Sequence, residues 1–284
     1  KWQRVLKNNF GLDMTLFKER LVIGFDYFRN TTKDQLMSIP LPASTGAEDI
    51  TVNFGENQNV GYEFSVAAQV IRSKNWAWTT VINGSHVKDR INRISTTLKN
   101  TSYQIEEDSP LRLRFREGGS QYDIYAVRSA GIDPATGQEI FIDRNGEYTF
   151  RYDADDEVVV GNTQPKLQGT WLNTLRYKGW SLNLVFSYKF GGDTYNKTLW
   201  SKVEDIDPRY NVDARAFTDR WKRPGDLSRF LAIKEIRPED SSYSSERFVE
   251  RLNELWLSSA MLTYEFQAKF LKRIGFKRLA IGVG

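Results

Sequence analysis

Few residues of this chain could do covalent chemistry. His86 is the single histidine and cysteine is absent, which excludes thiol catalysis, disulfide bonds and cysteine-based metal sites. Ser85 precedes His86 and suggests a hydrolase pair. Adjacent residues of a strand point to opposite faces, however, so the imidazole could not reach the hydroxyl. We therefore predict no catalytic residue and no enzymatic activity.

A short acidic run is the only candidate for binding a cation. Asp153, Asp155, Asp156 and Glu157 are closely spaced, but calcium needs six or more oxygen ligands, so a solvated loop is the alternative. The segment 143–146 begins like an EF-hand loop, yet no glutamate follows at the distance that motif requires, and we interpret it as a turn. We assign no metal ligand and no cofactor.

Aromatic residues are the strongest candidates for non-covalent binding, and they make up 13% of the chain. Tyr195, Trp200, Tyr210 and Trp221 lie on one long polar segment. Rings on such a segment can stack on a ligand or contact a partner protein that covers the site, or they can pack the segment against itself. We retain these four as candidates for ligand or lid contact.

Period-two alternation predicts the strands that position these residues. In residues 180–190, large apolar side chains occupy every second position and polar ones most positions between, with Val185 the exception. This pattern predicts a strand with one apolar and one polar face. The tight turn at 177–179 joins it to the preceding aromatic segment as a hairpin.

The connections between predicted strands alternate strictly in length. Short, mostly basic turns occur at Lys18, Lys74, Gly179 and Lys272, and long connections at Pro40, Pro134 and Pro224. Glu63, in the middle of the strand 60–70, indicates a wet inner face. This asymmetry is typical of outer-membrane barrels, whereas a soluble sandwich would mix the two lengths. We predict an all-β fold: an antiparallel transmembrane β-barrel segment of about nine strands with long extracellular loops.

Composition agrees with this fold class. No apolar run approaches the ~18 residues of a transmembrane helix. The net charge of +4 comes from 40 basic and 36 acidic residues, so the chain does not resemble a polybasic nucleic-acid-binding protein. Trp76, Trp78, Trp180 and Trp256 lie near predicted short turns, and we predict that they form an aromatic belt at the membrane interface, with His86 at the barrel mouth.

Several short motifs occur in a specific order and together resemble one family. They are Asn9-Phe10-Gly11-Leu12-Asp13, Asp26-Tyr27, Asn59-Val60-Gly61-Tyr62-Glu63, Gly131-Ile132-Asp133-Pro134-Ala135-Thr136-Gly137, Tyr177-Lys178-Gly179, Phe190-Gly191-Gly192 and Arg220-Trp221-Lys222-Arg223-Pro224-Gly225-Asp226. The set resembles the C-terminal barrel half of SusC/RagA-type TonB-dependent outer-membrane transporters, over nearly the whole chain.

The resemblance implies a large barrel of the twenty-two-stranded class, plugged by an N-terminal domain. It implies that residues 1–284 are the C-terminal part of that barrel domain, with the plug domain and the final strand absent. It further implies import of oligosaccharides or peptides across the outer membrane of a Gram-negative, Bacteroidetes-like bacterium. The partners would be a SusD-like surface lipoprotein, outer-membrane lipid and the TonB complex, the last through the absent N-terminal part.

One alternative is a soluble or surface-attached β-rich glycan-binding module. Such a module needs an apolar core between its sheets. Glu63, Gln69 and Lys189 on the inner face argue against that core.

Overall fold

The computed structural model describes residues 2–40, 46, 49–95, 102–104, 112–206, 211–233, 244–266, 275 and 279–284. The strands are β1 (Arg4–Leu16), β2 (Leu21–Pro40), β3 (Asp49–Arg72), β4 (Trp76–Ile94), β5 (Ser102–Gln104), β6 (Arg112–Arg114), β7 (Asp123–Ala126), β8 (Arg128–Ile132), β9 (Glu139–Ile142), β10 (Tyr148–Thr149), β11 (Val158–Asn162), β12 (Leu167–Tyr177), β13 (Trp180–Tyr195), β14 (Val249–Glu265) and β15 (Ala280–Val283). Short helical segments are α1 (Lys197–Leu199), a π-helical turn at Trp200–Glu204, α2 (Arg215–Thr218), and 3-10 turns at Ala154–Asp156 and Glu246–Phe248.

Eight strands form one antiparallel sheet in the order β1-β2-β3-β4-β12-β13-β14-β15. The all-β, antiparallel prediction is therefore confirmed. The expected number of about nine strands was too high for the described residues, because four hairpins account for eight strands. No helix in the described ranges is long and apolar enough to cross a membrane.

Tight turns join the strands at one end of the sheet. Tyr177 pairs directly with Trp180, so Lys178 and Gly179 alone form the connection, and Lys178 adopts the positive φ of 51° that such a turn requires. The Phe17–Glu19 turn also has positive φ values at each residue. The predicted turn at Lys272 lies outside the described residues.

The long connections fold into small sheets at the other end of the main sheet. β8, β9 and β10 form one of these sheets, and β7 pairs with β11 in another. A buried cluster of Phe54, Ile91, Ile94 and Phe115 packs the segment directly after β6 against β3 and β4.

A second buried cluster lies in the connection between β13 and β14. Its members are Leu199, Trp200, Val203, Ala216, Phe230 and Phe248. The two buried apolar clusters of the described chain thus lie in the loops and at the loop ends of β3 and β4, while many large apolar side chains nearer the tight turns are exposed.

Candidate functional site

One face of the main sheet carries a row of polar side chains across six of its eight strands. The register aligns Asp26, Glu63, Ser85, Gln168, Lys189 and Glu254 in a single row across six strands. A cavity of about 380 Å³ opens on this face, lined by Asp13, Asp26, Glu63, Ser65, Asn83, Ser85, Gln168 and Thr170, among others. The polar inner face predicted from Glu63 is therefore present.

Hydrogen bonds within this polar face leave its carboxylates available. Ser65 Oγ donates to Asn83 Oδ1 at 2.8 Å, and Asn83 Nδ2 donates to Thr170 Oγ1 at 3.3 Å. Asp13, Asp26 and Glu63 form no ion pair with any residue that the structure describes. The face is a hydrated wall with a negative centre, suited to polar solutes rather than to an apolar core.

The opposite face carries two aromatic rows. Trp76, Tyr177, Trp180 and Tyr264 pair across four strands beside the tight turns, with ring centroids 4.4 Å apart for Trp76–Tyr177 and 4.7 Å for Trp180–Tyr264. We call this set the turn-side aromatic row.

The second set, the loop-side aromatic row, lies ten residues from the turn-side aromatic row on β4 and β13, the two strands that carry both. Tyr27, Tyr62 and His86 align across β2, β3 and β4, and Phe190 lies ten residues after Trp180 on β13. Ten residues at about 3.3 Å each, tilted by about 40°, span about 25 Å. This separation equals the height of the apolar band of an outer-membrane barrel.

Polar atoms between the two aromatic rows satisfy the tryptophan N–H groups. Trp78 Nε1 donates to Asn173 Oδ1 at 3.1 Å, and Trp171 Nε1 donates to Thr80 Oγ1 at 2.9 Å. An indole N–H without an acceptor is costly where water is absent. Asn173 and Thr80, which interrupt the apolar pattern, are thereby explained.

The four predicted interface tryptophans do not share one location. Trp76 and Trp180 belong to the turn-side aromatic row, and Trp78 lies on the same face of β4, two residues further from the tight turn. Trp256 was placed near a short turn, and this placement is wrong. It pairs with Ser187, in the middle of the sheet, and Lys189 Nζ lies 5.7 Å from its ring centroid, so the ring is on the polar face.

A β-bulge explains the error. The β13–β14 register shifts between Val185 and Phe186, where Ser258 is the additional residue. Alternation on β14 therefore changes phase, which brings Leu257 opposite Phe186 on the apolar face and Trp256 to the polar face. A period-two reading of the sequence cannot detect this shift.

Two of the candidate contact aromatics lie at the loop end of β13, Tyr195 as its last residue and Trp200 in the loop that follows. Trp200 belongs to the second buried cluster, and the Tyr195 ring contacts Phe248, with centroids 5.8 Å apart. Burial, followed by the nearby Glu139 carboxylate, raises the pKa of Tyr195. Both residues pack the loop against itself. Their contact with a ligand or lid stays a prediction.

Trp221 joins two loops. Its Nε1 donates to the Pro134 carbonyl at 2.8 Å, and its ring lies over Gly137, where a Cβ would be 2.5 Å from the ring. The Arg220–Asp226 motif thus docks on the Gly131–Gly137 motif. Tyr210 lies outside the described residues.

Two groups of charged residues fix the loops, and the sequence pattern singled out only Glu157 among them, as part of the acidic run. Arg247 Nη2 donates to Glu139 Oε2 and to Glu204 Oε1, both at 2.8 Å; the two carboxylates are buried and the Arg247 side chain is 11% exposed. Burial alone would lower the pKa of Arg247, but the bonds to both carboxylates raise it. Arg114 forms a second buried pair with Glu157 at 3.0 Å. The partners are far apart in sequence, so no local signal could have revealed them.

The remaining candidates have ordinary structural roles. Ser85 lies on the polar face and His86 on the other, 5.1 Å from the Tyr62 ring centroid, which confirms that they cannot act together. Asp153 caps the turn at Ala154–Asp156 through the Asp155 amide. Glu157 of the acidic run is held by Arg114, as described above.

Curated relatives agree on one family, although no family model matches the chain. TonB-dependent receptor P39 of Formosa agariphila is 25% identical over 97% of this chain, and TonB-dependent receptor P3 of the same organism is 30% identical over 70%. TonB-dependent receptor SusC of Bacteroides thetaiotaomicron is 23% identical over 94%.

Solved structures share the fold. The RagAB peptide transporter aligns over 93% of this chain with a TM-score of 0.74 at 22% identity, and the RagAB peptide importer in its open-open state over 100% with a TM-score of 0.75 at 20% identity. The chain belongs to the SusC/RagA-type TonB-dependent receptors.

This receptor chain spans 30% of P39, 21% of P3 and 26% of SusC, which is less than a third of these relatives. The named relatives are receptors and transporters rather than enzymes. The structural alignments likewise cover only 29% and 31% of the two RagAB chains.

Proposed function

We propose that this chain is the C-terminal part of the barrel domain of an outer-membrane importer. The observation that supports this proposal is the sheet's division into two faces. One face has aromatic rows about 25 Å apart, as an interface belt on each side of a bilayer requires. The other is a polar wall from Asp26 to Glu254.

The proposed mechanism is passage along this polar wall, without bond chemistry. The cargo is an oligosaccharide or a peptide, whose hydroxyl and amide groups exchange hydrogen bonds with water for bonds with Ser, Asn, Gln and carboxylate groups. The plug and the TonB-contacting segment belong to the remainder of the full-length protein. TonB supplies the energy for release.

A SusD-like surface lipoprotein is the proposed partner at the loop end of the sheet. Support comes from the kinship with SusC and from the docked loops, which the Arg247 network and Trp221 hold together. Such loops form a stable platform on which a lid could rest. Tyr210 and the exposed edge of Trp221 are the candidate contacts.

The test uses the full-length receptor in its host. A tagged copy is extracted from membrane fractions in mild detergent, and co-purifying proteins are identified. We expect recovery from the outer membrane together with a SusD-like lipoprotein. A receptor that stays soluble without detergent and brings no lipoprotein would contradict the proposal.

A further inference from the structure

Basic side chains lie directly above the loop-side aromatic row, on the same outward face. Arg29 and Lys88 occupy the next row along β2 and β4, and Arg90 the row after that. Lys166 adjoins them across the gap that opens between β4 and β12. All four are exposed, and we call them the cationic patch.

The cationic patch borders a cavity of about 730 Å³. Tyr62, His86, Lys88, Arg90 and Lys166 are among its lining residues. The alternation of burial on β4 shows which way the cations point. Asp89 and Ile91 are buried beneath the loops on the inner side, while Lys88 and Arg90 between them are exposed on the outer side.

The carboxylates around this cavity already have protein donors. Asp89 accepts from the Gln121 amide at 2.7 Å, and Asp123 accepts from the Ser120 amide at 2.8 Å. Asp193 lies 3.7 Å from Arg251. The amide donors are neutral, so Asp89 and Asp123 keep their negative charges, but none of the three carboxylates forms an ion pair with the patch in the part of the chain that the structure describes.

The cations of the patch, by contrast, form no ion pair within the described part of the chain. Further from the aromatic row, outward cations do: Arg4 pairs with Asp34 at 3.3 Å and Lys33 with Glu56 at 4.0 Å. Four cations without an ion pair thus lie close together just above the loop-side aromatic row, where the headgroups of the adjacent leaflet would lie.

We propose that the cationic patch binds the phosphate groups of a glycolipid in the leaflet on the loop side of the membrane. The inference rests on the proposed function, because it requires the apolar face to contact lipid. Arginine and lysine bind phosphate oxygens by charge-assisted hydrogen bonds, and basic residues at a membrane surface attract anionic headgroups. The acyl chains of the same lipid lie against the apolar side chains below Tyr62 and His86.

The test measures lipid retained by the full-length receptor, purified in mild detergent, by native mass spectrometry. The probes are lipid A, lipid A from which the phosphates have been removed, and inorganic phosphate. The variant carries Arg29→Gln, Lys88→Gln, Arg90→Gln and Lys166→Gln. The matched control, Arg144→Gln, Arg151→Gln, Lys202→Gln and Lys222→Gln, removes the same charge from two exposed arginines and two exposed lysines of the loops.

We expect the wild type and the control to retain lipid A, and the patch variant to retain at least about tenfold less, since each basic residue near an anionic surface contributes about fivefold. The dephosphorylated lipid should bind the wild type as weakly as lipid A binds the patch variant. This second comparison needs no mutation, so it does not depend on the variant folding.

Three other results would overturn the inference. Equal retention by the patch variant and the control shows that the patch does not select the lipid. Retention of inorganic phosphate by the receptor in the absence of lipid A shows a site for the free anion. If either result is obtained with a receptor that is found in the outer membrane, the lipid inference fails and the proposed function stands. A receptor that is absent from the outer membrane contradicts both the lipid inference and the proposed function.

Discussion

Replacing Arg247 by methionine should loosen two long loops at once. Methionine retains most of the aliphatic volume over Phe248 but leaves Glu139 and Glu204 buried without their shared partner. Removing one member of a buried ion pair costs about 3–5 kcal/mol, because the other charge stays desolvated. Here one guanidinium bonds to two carboxylates at 2.8 Å each, so the loss should reach at least the lower bound.

Hydrogen exchange measured by mass spectrometry follows this loss locally. A loss of about 3 kcal/mol corresponds to about 100-fold faster exchange in any segment that opens with the network. We expect that acceleration in peptides covering β9, the turn at Trp200–Glu204 and the turn at Glu246–Phe248. Peptides from β12 and β13 should be unchanged, because the main sheet does not depend on Arg247.

Arg229→Met is the matched control. Its pair with Glu250, at 3.2 Å, is about half exposed, and such pairs contribute about 0–1 kcal/mol. Adding Glu139→Gln and Glu204→Gln to Arg247→Met should recover part of the loss, since the carboxylates are then neutral. The reasoning is refuted if Arg247→Met and Arg229→Met accelerate exchange equally.

The remaining predictions concern the sheet and the loop junction. Gly169→Ala should prevent correct pairing of β4 with β12, because a Cβ would lie 1.9 Å from the Asn83 carbonyl oxygen. The variant should therefore lose heat-modifiable gel mobility. The control Gly24→Ala, whose Cβ would lie 3.1 Å from the flexible Asp13 carboxylate, should keep that mobility. Asn173→Leu should destabilise the sheet by about 1–3 kcal/mol, measured by urea unfolding in lipid, because the Trp78 N–H loses its acceptor; an unchanged midpoint would contradict this role. Trp221→Ala should expose the Gly131–Gly137 segment to limited proteolysis. Trp221→Phe, which keeps a ring over Gly137, should expose it much less. Equal cleavage of the two variants would show that the ring does not hold the junction between the loops.

Sequence periodicity predicted the sheet because the face to which each side chain points alternates locally along a strand. The positions from Trp180 to Phe190 alternate without interruption, and even Val185, the exception in the pattern, keeps its place on the polar face. Turn positions were equally local, since Lys178 and Gly179 are sufficient to reverse the chain.

The rest could not be predicted because it depends on pairing between distant residues. The bulge at Ser258 exists only relative to β13, and it moved Trp256 to the opposite face. Arg247 meets Glu139 across 108 residues, so composition and spacing carry no trace of the network. The loop aromatics could be located on a segment, but whether Trp200 faces solvent or a core depends on tertiary packing.

The most direct test of the two-faced membrane sheet is a single-cysteine scan of the full-length receptor in outer membranes. This chain has no cysteine, so Leu184→Cys, Val185→Cys, Trp256→Cys and Leu257→Cys each introduce one label site in it, and the unsubstituted receptor provides the background. Labelling is measured with a membrane-impermeant maleimide, and lipid contact with a bimane probe quenched by brominated lipid. We expect maleimide labelling at positions 185 and 256 and lipid quenching at positions 184 and 257. Lipid quenching at none of the four positions, or at 184 and 185 alike, would contradict the account.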